Sequence, residues 1–123
     1  QMDHSWAIGT NVIPHIHWTQ SGTGDVVWEL QYQWIGNGEL EEPWQTLTST
    51  TTVFTYSSGD LGQITSFGEI TPPASAGLSA TFKAKVSRLG GNADDTYTGD
   101  ALFNEFDIHY QIDYHGSQED FTK

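Results

Sequence analysis

Val26-Val27-Trp28-Glu29-Leu30-Gln31-Tyr32-Gln33-Trp34 and Leu102-Phe103-Asn104-Glu105-Phe106-Asp107-Ile108-His109-Tyr110-Gln111-Ile112-Asp113 decide the fold class of this chain. Side chains of a strand alternate between its two faces. Val26, Trp28, Leu30, Tyr32 and Trp34 therefore share one face of the first stretch, and Phe106, Ile108, Tyr110 and Ile112 share one face of the second. Each apolar face can cover a core. The opposite faces carry Glu29, Gln31 and Gln33, and Glu105, Asp107, His109, Gln111 and Asp113. They give either a wet surface or a polar contact with another chain.

Outward from these two stretches the same period-2 pattern recurs near 3–7, 11–19, 25–35, 45–56, 61–70, 79–89 and 101–114. Turn formers interrupt it at Ser21-Gly22-Thr23-Gly24, Gly36-Asn37-Gly38, Ser57-Ser58-Gly59-Asp60, Pro72-Pro73 and Gly90-Gly91-Asn92. No stretch sustains a 3.6-residue period, and Gly77 after a proline pair leaves only a weak helix or turn at 74–79. Short strands with one apolar face each close a core by packing two sheets face to face. The expected fold is all-β, a two-sheet β-sandwich of jelly-roll type, as a single domain spanning 1–123. Trp28, Leu30, Tyr32, Phe82, Val86, Phe106, Ile108 and Tyr110 are its expected core. The link 35–45, with Glu39, Glu41, Glu42 and Pro43, reads as a solvated loop.

Composition narrows the function. Cysteine is absent, so thiolate metal sites, disulfides and a cysteine nucleophile are excluded. Sixteen acidic residues against four basic ones give a net charge of −12, which opposes binding to nucleic-acid phosphates and to anionic membrane surfaces. No apolar run approaches the roughly 20 residues that span a bilayer. No Gly-x-Ser-x-Gly elbow and no phosphate-cradling glycine loop before a helix is present, so no cofactor is expected. A carboxylate pair such as Glu29 with Glu105 or Asp107 is available in any acidic chain and does not single out glycoside hydrolysis.

Metal chemistry has one foothold. His15-Ile16-His17 places two imidazoles on one strand face, and His109, with Asp107 two residues before it, could complete a three-histidine or mixed site if the last strand neighbours the first. The candidate metal ligands are His15, His17 and His109. Gly9, five residues and His15-Ile16-His17 also resemble the opening of the cupin metal motif, G-x5-H-x-H. Its glutamate would fall at Ser21 or Gly22, and the second half of the motif has no counterpart. Hydrogen bonding on a polar sheet face explains the same histidines without a metal. The carboxylates of Gly91–Asp100 suit calcium, although their spacing fits no EF-hand and turn chemistry accounts for them equally well. Sugar binding would need tryptophans at loop tips, whereas Trp28, Tyr32 and Trp34 share a face with aliphatic residues, and Trp6, Trp18 and Trp44 are unassigned. Lys83 and Lys85 share one strand face and are expected to pair with carboxylates of a neighbouring strand or subunit.

His4-Ser5-Trp6-x-x-Gly9-Thr10, Pro14-His15-Ile16-His17-Trp18 and Val27-Trp28-Glu29-Leu30-Gln31-Tyr32 together resemble a family of tailed-bacteriophage and prophage virion structural proteins. Asp95-Thr96-Tyr97-Thr98-Gly99-Asp100 and Asp107-Ile108-His109-Tyr110-Gln111-Ile112-Asp113, with Gly116-Ser117 and Lys123, resemble that family's C-terminal segment. The matching blocks bracket nearly the whole chain, and 36–78 matches loosely. The resemblance implies a non-enzymatic, jelly-roll-like exterior component of the virion: a head decoration, fibre or tail-associated knob. It further implies a homotrimer in contact with other capsid or tail proteins, with host-surface glycan a further partner and neither nucleic acid nor membrane among them. Because the chain begins at Gln1 in strand-like sequence, the domain is expected to be the C-terminal part of a longer virion protein. The expected subunit interface comprises His15, His17, Glu29, Gln31, Lys83, Lys85, Asp107, His109 and Gln111, side chains that form directed hydrogen bonds. The alternatives are a cupin-like metal protein using His15, His17 and His109, and a carbohydrate-binding module.

Overall fold

A computed structural model describes residues 1–51 and 58–113. Within them lie six strands: β1 (Val12–Gln20), β2 (Val26–Ile35), β3 (Gln45–Thr51), β4 (Leu61–Ser66), β5 (Thr81–Arg88) and β6 (Leu102–Tyr110). They form two antiparallel three-stranded sheets, β4-β1-β6 and β3-β2-β5, packed into a small β-sandwich. The pairings nest. The first strand pairs with the last and the second with the fifth, as in a long hairpin wrapped into two layers. The described residues thus supply three strands per sheet, where a complete jelly roll has eight strands in all.

Several expected strands are shorter than the pattern that announced them. Of 3–7 only Trp6 pairs, in an isolated bridge to Ile112, and 61–70 splits into β4 and a bridge from Ile70 to Val12. Gly68, with φ of 81°, makes the turn between those two pieces. Residues 74–79 form turns, closed by Ala76 N–H donating to Pro73 O and Ala80 N–H to Gly77 O. The expected strand at 45–56 continues past Thr51, and that at 101–114 ends with Tyr114; both of those ends fall outside the described residues.

Between the sheets lie Val12, Ile16 and Trp18 from β1 and Val26, Trp28, Leu30 and Trp34 from β2, all buried. Tyr32, Phe82, Val86, Phe106, Ile108 and Tyr110 pack against them and are partly buried, so the eight expected core residues do meet in one cluster. Aromatic contacts bridge the layers: Trp18 meets Trp28 edge-on at 5.6 Å between centroids, and Phe82 stacks on Phe106 at 6.4 Å. Trp6 reaches the core from the N-terminal segment and stacks on Trp34 at 5.9 Å. Trp18 Nε1 satisfies its donor on Thr65 Oγ1, 2.9 Å away, and Thr65 Oγ1 in turn meets Thr51 Oγ1. A buried polar thread thereby ties β1 and β4 to β3 of the other sheet.

Candidate functional site

Because Ile16 and Trp18 face the core, strand alternation turns His15 and His17 to the outside of the sandwich. β1 is the central strand of its sheet, so His15 has neighbours on both sides: Ser66 of β4 and Asp107 of β6. His109 lies opposite Ile13, two residues along β6 from Asp107 and on the same face. The condition set by the sequence, that the last strand neighbour the first, is met.

The resulting cluster is compact. His15 Nε2 stands 3.2 Å from His17 Nε2 and 3.7 Å from Asp107 Oδ2. The His109 ring lies 4.5 Å from that of His15, and one ligand atom each from His15, Asp107 and His109 falls within 4.8 Å of the others. Asp107 Oδ1 accepts the Ile108 N–H at 2.8 Å, which turns Oδ2 towards His15. His15 is only 5% exposed although it points outward, because the rings of His17 and His109 flank it, whereas Asp107 and His109 themselves are exposed. The group that converges is therefore His15, Asp107 and His109, with Asp107 in place of His17, which the sequence pairs with His15, and with His109 as the third member.

The remaining expected interface residues lie elsewhere. Glu29, Gln31, Lys83 and Lys85 occupy the outward face of the other sheet, where Gln31 pairs with Lys85 and Gln33 with Lys83. The two groups face away from each other across the sandwich, so they belong to two surfaces rather than one. The same separation removes Glu29 from any carboxylate pair with Glu105 or Asp107. Gln111 follows β6, is exposed, and accepts the Ala7 N–H on its backbone oxygen. Lys83 pairs with Glu41 of the 35–45 link at 2.8 Å, not with a carboxylate of a neighbouring strand, and that hydrogen bond holds the Glu41 carboxyl below its ordinary pKa. The 35–45 link is otherwise tied down by Glu42 N–H donating to Trp34 O and Gln33 Nε2 donating to Glu42 O.

Residues 91–100, which the sequence offered as a calcium-suited or turn-forming loop, form a second organised centre around Arg88, a partner the sequence did not single out. Arg88, the only arginine of the chain, ends β5 and sends its guanidinium into this loop. Nε and Nη2 form a fork onto Asp95 at 3.0 and 2.6 Å, Nη1 donates to Gly99 O at 2.6 Å, and Nη2 also donates to Tyr97 O. Asp95 Oδ2 additionally accepts the Val27 N–H at 3.0 Å. Hydrogen bonding from Arg88, and then from Val27, holds the Asp95 carboxyl below the usual carboxylate range, while Asp95 raises the Arg88 pKa. This carboxylate, one of those suited to calcium by sequence, is committed to arginine, and Asn92 Oδ1 caps the turn by accepting the Asp94 N–H. Tyr97 lies under the guanidinium and against Gly22, Gly24 and Gly99.

Of the unassigned tryptophans, Trp6 and Trp18 are core and Trp44 is half exposed. A shallow cleft of about 250 Å³ opens between Tyr32, Trp34, Glu42, Pro43 and Gln45; burial raises the Tyr32 pKa there. Trp34 is itself buried and offers no open ring face to a sugar. No protein-family model matches the chain, and searches of curated proteins and of solved structures likewise gave no match.

Proposed function

We propose that this domain is a non-enzymatic structural component of a bacteriophage virion, an exterior head decoration, fibre or tail-associated knob that assembles as a homotrimer. The observation that carries the reading is the pairing of β1 with β6. Two of the sequence blocks that carry the virion resemblance, Pro14–Trp18 and Asp107–Asp113, come side by side in one sheet over Pro14–His17 and Asp107–Ile108 and share its outward face. That face mixes hydrogen-bonding groups with apolar ones: Ile64 of β4, 59% exposed, is paired with His17, and Leu102 of β6, 57% exposed, is paired with Thr19. Exposed apolar side chains amid directed polar groups on a flat sheet suit a subunit contact. The number three comes from the resemblance, since dimers are the commoner closed assembly.

Light scattering on the isolated domain at micromolar concentration should return three times the 13.6 kDa chain mass, and a monomer would refute the trimer. Immunogold labelling of purified particles from the phage or prophage that encodes the chain should decorate the particle exterior. Unlabelled particles would refute the virion assignment.

A further inference from the structure

We propose that His15, Asp107 and His109 form a binding site for a divalent first-row transition ion, of which zinc is the representative, on the outward face of the β4-β1-β6 sheet. The inference does not rest on the virion reading, although it uses the same outward face.

Topology brings the three ligands together. His15 and Asp107 are direct cross-strand partners, and His109 sits diagonally to His15 on the same face, so a single register fixes all three. An ion bonded at about 2.0–2.2 Å to imidazole and carboxylate has ligand atoms roughly 3.3–3.5 Å apart. The separation of 3.7 Å between His15 Nε2 and Asp107 Oδ2 is close to that edge, and the whole triad lies within 4.8 Å. Closing the remainder takes only side-chain rotation. Asp107 and His109 are exposed and can turn without repacking the core, while His15 is buried and fixed between rings.

The donor atoms are also presented correctly. Asp107 spends Oδ1 on the Ile108 N–H and aims Oδ2 at His15. His15 Nε2 stands 3.2 Å from His17 Nε2, so it takes an ion in the tautomer that leaves this nitrogen unprotonated, with the half-buried His17 ring turned aside. Two imidazoles and one carboxylate match the borderline ions Zn²⁺ and Co²⁺ rather than Ca²⁺ or Mg²⁺, which prefer all-oxygen sets. Since the triad lies on an outward face, its fourth position points away from the core.

The test is a Co²⁺ titration of untagged protein followed by its visible ligand-field absorption, with Zn²⁺, Ca²⁺ and Mg²⁺ as competitors. One equivalent of Co²⁺ should bind with the intensity of a four-coordinate site, Zn²⁺ should displace it, and Ca²⁺ and Mg²⁺ should not. Asp107→Ala and His109→Ala should each weaken binding at least about tenfold, the lower bound of what even a supporting partner contributes. His17→Ala should keep the stoichiometry. Both triad variants alter exposed residues, and circular dichroism with a urea melt verifies that they fold. Absence of stoichiometric Co²⁺ binding would overturn the proposal, as would unchanged affinity in folded Asp107→Ala or His109→Ala. Loss of binding in His17→Ala with Asp107→Ala unaffected would overturn this ligand set in favour of three histidines.

Discussion

Replacing Arg88 by methionine keeps the aliphatic stem and removes the guanidinium. Asp95 would then retain only the Val27 N–H, with a side chain 1% exposed, and the carbonyls of Tyr97 and Gly99 would each lose a donor. Breaking a buried ion pair by deleting one partner costs about 3–5 kcal/mol, because the other charge is left uncompensated. Arg88 is 22% exposed, so water can reach part of the vacated space, and the expected loss falls to about 2–4 kcal/mol. With a urea m-value of about 2 kcal/mol per molar, mid-range for a small domain, the unfolding midpoint should drop by about 1–2 M. Removing the charge as well, in Arg88→Met/Asp95→Asn, should restore part of the loss, giving a coupling well above the about 0.5 kcal/mol expected of independent sites. The acid limb supplies a second readout. The folded Asp95 carboxyl titrates below its unfolded value, so its contribution is complete above the ordinary carboxylate range and is lost as pH falls through the lowered one. Arg88→Met should flatten that limb. A midpoint shift equivalent to less than about 0.5 kcal/mol, or strict additivity of the two substitutions, would refute the idea that this pair anchors the loop.

Gly24→Ala should destabilise by about 1–3 kcal/mol, since φ is 133° and the new Cβ would lie 2.7 Å from Tyr97 Cα; a wild-type thermal midpoint would contradict this. Leu30→Ala, at a fully buried position, should cost about 2–5 kcal/mol in a chemical melt. Phe106→Ala should cost less than the about 3–5 kcal/mol of a fully buried phenylalanine, because that ring is only partly covered. If Phe106→Ala proved the costlier of the two, the described packing of β6 would be wrong.

Periodicity made the strands from Val26, Thr81 and Leu102 legible, because each alternates between an apolar and a polar face over most of its length, β6 only beyond the register shift at Asn104. Burial depth was less legible. Phe106 and Ile108 share the inward face of β6, yet they are only partly buried, since depth depends on what packs opposite rather than on alternation. Trp6 resisted assignment for a related reason: the strand expected at 3–7 is reduced to a single bridge, so its short alternation does not fix which face meets the core. For the histidines, local sequence gave two imidazoles on one face, but the choice of Asp107 depends on a long-range register that no local pattern encodes. Arg88 carries one local signal, a lone arginine closing a strand six residues before Asp94-Asp95.

The nesting of β1 against β6 and β2 against β5 also sets a timetable. Nearly every pairing except the β2-β3 hairpin joins residues far apart in the chain, which places the domain among slowly folding, non-local topologies with rates on the millisecond to second scale. During synthesis β1 emerges before the other described strands and its partner β6 after them, so one hydrogen-bonding edge of β1 waits unpaired until Leu102–Tyr110 have been made. A stop codon before Leu102 would therefore do more than shorten the product. It would turn the middle strand of a sheet into an open edge, ready to recruit a stray strand from another molecule.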